Sequence, residues 1–138
     1  MKIAIRYFSR TGHTEKMAAV VSAVTGVKAE TMDVPVIEDT DILFLGSAVY
    51  MTGIDDKVKE FINTLDSKTK SVICFSSAAI LPSSYAQVRE LLNKRNIPVD
   101  EREFHCRGQF TLLHRGRPNQ TDLDGLKLFI EKIMNTNI

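Results

Sequence analysis

Six consecutive residues concentrate phosphate-binding chemistry: Ser9, Arg10, Thr11, Gly12, His13 and Thr14. Ser9, Thr11 and Thr14 supply hydroxyls, and Gly12 allows close backbone approach. A helical pattern starts at His13, so the free N–H groups of a helix N-terminus converge on the same point. That combination suits a phosphate dianion without requiring a cationic side chain. Arg10 and His13 contribute backbone N–H groups, with Arg10 adding diffuse attraction. The loop is not a Walker A loop, because no Gly-Lys-Ser/Thr follows. It is not GxGxxG either, because no two glycines of the chain stand two apart. ATP and NAD therefore lose their usual fingerprints. The bland alternative is that Ser9 or Thr11 merely caps a helix.

Other reactive side chains carry less. Cys74 and Cys106 show neither CxxC nor Cys/His spacing, which excludes a disulfide scaffold, structural zinc and an iron-sulfur cluster. The sixth residue after Cys106 is Leu112, so no CxxxxxR phosphatase loop is present there, and Cys106 reads as a small buried strand residue. Ser9 and Ser47 stand where a phosphoacceptor receiver of similar topology needs acidic residues. Arg107, Arg115 and Arg117 gather around the end of the last strand, either as a solvated basic rim or as a binding surface for an anionic substrate or acidic partner.

The elements that must hold these residues alternate regularly. Lys2 to Phe8 is a short β-rich run, and His13 to Val24 places Met17, Val20, Val21 and Val24 at helical spacing up to Gly26. Val27 to Val34 alternates like an outer strand. Ile42 to Gly46 and Ser71 to Phe75 are continuous apolar runs, as in strands covered on both faces. Between them, Asp55 or Asp56 caps a helix through about Leu65. Ser84 with Gln87 forms a capping-box pattern before Val88, Leu91 and Leu92. Val99 to Phe110 is a longer, more polar strand, and a last helix runs from about Asp122 to Asn135. Such alternation requires crossovers, hence an α/β fold with a doubly wound parallel sheet of about five strands. In an open parallel sheet the ligand sits beyond the carboxyl ends of the strands, so the loops after the first, third and fourth strands hold the site.

The stretch Tyr7-Phe8-Ser9-Arg10-Thr11-Gly12-His13-Thr14 resembles the S/T-x-T-G-x-T loop with which flavodoxins hold the phosphate of FMN. The resemblance extends along the chain as a strand-helix pattern and implies a flavodoxin-like strand order 2-1-3-4-5. Gly46-Ser47-Ala48-Val49-Tyr50 resembles the family's first isoalloxazine loop, continuing through Met51, Thr52 and Gly53, and Phe75-Ser76-Ser77-Ala78-Ala79 resembles the second. By this resemblance Tyr50 covers one flavin face and disfavours the fully reduced, anionic flavin. The second loop offers backbone N–H groups to the pyrimidine edge but carries no aromatic, which leaves one face more open. Two features depart from the family pattern. Met51 stands where the family often has a glycine that lets a neighbouring peptide flip toward flavin N5. The net charge of +1 contrasts with the strongly acidic surface of typical flavodoxins.

The resemblance implies one FMN held noncovalently by a single domain over residues 1–138, carrying electrons to or from a redox partner protein. The flavin does the chemistry, so no catalytic acid or base is assigned. The rival is a flavin-dependent quinone or protoporphyrinogen-type oxidoreductase that accepts a small organic electron acceptor at the open face. A third reading is a relic of the fold without flavin. The chain has 138 residues, 43% hydrophobic and 25% charged, which is the composition of a globular protein. With 18 Lys plus Arg against 17 Asp plus Glu it generates no field that would favour nucleic acid or an anionic membrane. No apolar stretch approaches the roughly 20 residues needed to span a bilayer, and the expected location is cytoplasmic.

Overall fold

The computed structural model describes residues 1–49, 53–78, 83–107 and 116–136. Along the chain run β1 (Ile3–Tyr7), α1 (His13–Thr25), β2 (Ala29–Thr31), β3 (Ile42–Val49), α2 (Asp56–Ile62), β4 (Val72–Ala78), α3 (Tyr85–Asn93), β5 (Val99–Arg107) and α4 (Gln120–Thr136). The strands form one parallel five-stranded sheet in the order β2-β1-β3-β4-β5. This is the expected doubly wound order.

Strand alternation divides the apolar residues between two faces. Leu43, Leu45, Val72 and Cys74 pack against Val58, Phe61 and Ile62 of α2 and Val88 and Leu92 of α3. Ile5, Phe44, Ile73 and Phe75 pack against Met17, Ala18 and Val21 of α1 and Leu126, Ile130 and Ile133 of α4. Each central strand is therefore apolar on both sides, which is why its sequence is a continuous run instead of an alternation.

Three strand boundaries differ from the sequence expectation, and α2 ends at Ile62 instead of about Leu65. The outer strand shrinks from Val27–Val34 to Ala29–Thr31, because the next carbonyls turn inward to a buried arginine. Arg6 donates from Nε to Val34 O at 2.8 Å and from Nη2 to Pro35 O at 3.1 Å, and Pro35 has no N–H for a ladder. β3 continues past Gly46 to Val49, and β4 past Phe75 to Ala78, because Ser47, Ala48 and Val49 pair in register with Ser76, Ser77 and Ala78. Small polar residues that resemble loop in sequence are here the carboxyl ends of the two central strands.

Candidate functional site

The turn after β1 is organised by its own side chains. Ser9 Oγ accepts the Gly12 N–H at 2.9 Å, and Thr11 Oγ1 shares a 3.1 Å hydrogen bond with His13 Nδ1. Gly12 sits at φ +88°, a left-handed conformation costly for any residue with a side chain, and a Cβ there would meet nothing within 4 Å. The position thus needs glycine for its backbone angle and opens onto free space. Gly12 is also the residue before α1, and no side chain caps the helix. Neither Ser9 nor Thr11 plays the capping role that the sequence left open, so the first N–H groups of α1 keep their partial positive charge for a ligand.

Thr14, in the first turn of α1, is fully buried, and its Oγ1 has no hydrogen-bond partner among the described residues. An unpaired buried hydroxyl costs about 1–3 kcal/mol unless a ligand satisfies it. Burial, assisted by the charge of Lys16, keeps the His13 pKa below its ordinary value, so its ring is neutral at pH 7. Arg10 reaches toward Asp55 with Nη1 3.9 Å from Oδ2. Asp55 caps α2 by accepting the Lys57 N–H at 2.9 Å, so Arg10 of the β1–α1 turn faces the start of the neighbouring helix.

The central strands bring further small residues to the same end of the sheet. Ser47, Ala48, Ser76, Ser77 and Ala78 are all buried, and Ser76 Oγ, like Thr14 Oγ1, lacks a partner among the described residues. Ser47 points its hydroxyl at Ser84 Oγ, 2.6 Å away. Gly53 lies at φ +155° against the amide of Gln87, whose Oε1 accepts the Ile54 N–H at 3.0 Å. Val49 ends β3, while Tyr50, Met51, Thr52 and Ala79 lie outside the described residues. Sequence reasoning missed the role of Gln87. The only signal was its spacing from Ser84, which read as a capping box, yet Ser84 makes no side-chain cap.

The basic segment after β5 is more structural than its sequence indicates. Arg117 binds both carboxylate oxygens of Asp122, with Nη2 2.8 Å from Oδ1 and Nε 2.5 Å from Oδ2. It is paired with the start of α4 while staying partly exposed. Arg107 is half-buried on β5, and Arg115 lies outside the described residues. Both cysteines are free and buried. Burial pushes each thiol up to about 12, which removes the thiolate and with it nucleophilic chemistry. No group of three or more potential metal ligands occurs among the described residues.

A polar cradle at a helix N-terminus, placed after the first strand of a 2-1-3-4-5 parallel sheet, defines a mononucleotide-binding α/β protein. The sequence profile described as Flavodoxin domain matches residues 4–108. The chain therefore belongs to the flavodoxin family: its cofactor is FMN and its work is electron transfer. Solved structures agree on the fold. A flavodoxin from the domain Archaea is 17% identical with a TM-score of 0.80, over 99% of this chain and 98% of that one. The oxidised Flavodoxin 2 of Bacillus cereus is 18% identical with a TM-score of 0.75, over 99% of both chains. Rubredoxin oxygen:oxidoreductase of Desulfovibrio gigas is 20% identical with a TM-score of 0.77, over 98% of this chain but only 35% of that protein. No curated protein is similar enough to the sequence to count as a match.

The residues present fit a phosphorylated flavin. The uncapped helix end and the Thr14 hydroxyl call for an acceptor-rich group, and the open space at Gly12 leaves room for one. Bound FMN supplies the electron chemistry, while the protein supplies binding, orientation and electrostatics. No helix among the described residues is long and apolar enough to cross a membrane.

Proposed function

We propose that residues 9–14 hold the FMN phosphate, that the carboxyl ends of β3 and β4 with the segments following them hold the isoalloxazine, and that electrons pass to or from a redox partner protein. The observation that carries the reading is the fully buried Thr14 hydroxyl, without a partner among the described residues, at the uncapped start of α1. In this reading Ser9, Thr11, Gly12 and the N–H groups of His13 and Thr14 surround the phosphate, with Arg10 adding attraction from its edge. Ser47 enters through its backbone, since its hydroxyl is engaged with Ser84. Ala48, Val49, Ser76, Ser77, Ala78 and Ala79 border the flavin, and Tyr50 to Gly53 cover it. One domain over residues 1–138 suffices for this site, and two free cysteines accord with a cytoplasmic location. The rival, an oxidoreductase using an arginine cluster for an organic substrate, loses Arg117 to Asp122.

The test is titration of the apoprotein with FMN and with riboflavin, in the wild type and in Gly12→Asp. A carboxylate beside the phosphate should weaken FMN by more than about tenfold while riboflavin changes little. Equal losses for the two ligands would put the phosphate elsewhere.

A further inference from the structure

The first turn of α3 holds more than its own helix. Ser84, fully buried, bonds across 37 residues to Ser47 on β3, and Gln87 bonds across 33 residues to the Ile54 N–H just before α2. These two contacts bracket the segment between β3 and α2 from both ends. Gly53 is pressed so closely on Gln87 that a Cβ there would lie 2.7 Å from Nε2. The segment leaving β4 runs into the same helical turn. One turn thus joins the carboxyl end of β3 to the residue that leads into α2. Ser84 and Gln87 have the spacing of a capping box but engage their side chains in these two long-range bonds, while Ser83 Oγ accepts the Tyr85 N–H at 3.2 Å at the start of α3.

We infer that Ser84 and Gln87 are positioning residues for the flavin ring. They hold the carboxyl end of β3 and the approach to α2 against the first turn of α3 in the apoprotein, so part of the ordering cost of ring binding is met before the ligand arrives. The inference rests on the placement of the ring between these segments in the reading above. A device acting on the ring has a signature that a phosphate contact lacks, because it costs FMN and riboflavin the same factor.

Gln87 is exposed, so Gln87→Leu removes the acceptor without opening the core. In the full-length apoprotein the Ile54 amide should exchange its hydrogen at least about tenfold faster in this variant. Affinity for FMN and for riboflavin should fall together, by about tenfold each. Gln87→Glu keeps an acceptor oxygen and should restore both the protection and the two affinities. If Gln87→Leu leaves both affinities unchanged while Gly12→Asp still selectively weakens FMN, the clamp is overturned and the phosphate-loop reading stands. If Gly12→Asp binds FMN as the wild type does, that reading falls and takes the clamp with it.

Discussion

The ring of Phe75 lies over Gly46, its register partner on the neighbouring central strand. A Cβ at residue 46 would stand 2.5 Å from Phe75 Cε2 and 3.1 Å from Tyr7 Cβ, and Phe75 is only 1% exposed. Glycine is therefore required here by a buried ring inside the sheet, although in sequence it looks like the signal that ends a strand.

Adding one methyl at this point should be expensive. Neither wall yields easily, since one is a buried ring and the other is fixed to the backbone of β1. Gly46→Ala should cost about 1–3 kcal/mol by overpacking and lower the melting temperature by several degrees. Thermal or urea unfolding of the apoprotein measures it. Adding Phe75→Leu should recover part of the loss, which a double-mutant cycle would register as coupling between the two sites.

What the sequence disclosed and what it concealed follow one physical division. The central strands and the amphipathic helices were legible, because burial on two faces or along one stripe writes itself into local residue order, whereas the strand order came from the family resemblance. The turn proposed for the phosphate stood out as well, since Ser9, Thr11, Gly12 and Thr14 lie within one short stretch. Features whose partners are distant in the chain were not. Ser47 and Ser76 looked like loop because nothing in their neighbourhood says that they pair with each other at the ends of two strands. Ser84 and Gln87 looked like a cap because their partners, Ser47 and Ile54, are more than thirty residues away. A reciprocal pair of the capping-box type does occur, at the start of α4. There Asn119 Oδ1 accepts the Asp122 N–H at 3.0 Å and Asp122 Oδ2 accepts the Asn119 N–H at 2.8 Å.

Thr14 provides a substitution with opposite effects on stability and binding. Thr14→Val keeps nearly the same shape and removes a buried hydroxyl that has no partner among the described residues. The apoprotein should unfold at equal or higher urea concentration, because the desolvation penalty of about 1–3 kcal/mol disappears with the hydroxyl. FMN should bind more weakly and riboflavin unchanged. An apoprotein clearly destabilised by the substitution would mean that the hydroxyl is already satisfied without ligand, and the phosphate assignment would lose its main support.

The opening of α4 makes stability depend on acid. Burial pushes the Asp122 carboxyl up, but the hydrogen bonds from the Arg117 side chain and the Asn119 backbone, with the charge of Arg117, outweigh it and leave the pKa below the usual carboxylate value. Asp100 is lowered as well, chiefly by its side-chain hydrogen bond from Arg102, against the effect of burial. A carboxyl whose pKa is lower in the folded chain than in the unfolded one binds protons more readily when unfolded, so its contribution is complete above the ordinary Asp range. It is lost as pH falls through that range toward the lowered native value. Urea midpoints should therefore hold steady down to about pH 5 and decline below about pH 4. Asp122→Asn removes the ion pair and the titration together. It should cost about 2 kcal/mol at pH 7 and flatten the acid decline, so that variant and wild type draw together as pH falls through the ordinary Asp range. A variant that stays parallel to the wild type across this range would show that Asp122 titrates alike in the folded and unfolded chains, and that its contacts with Arg117 contribute geometry without charge.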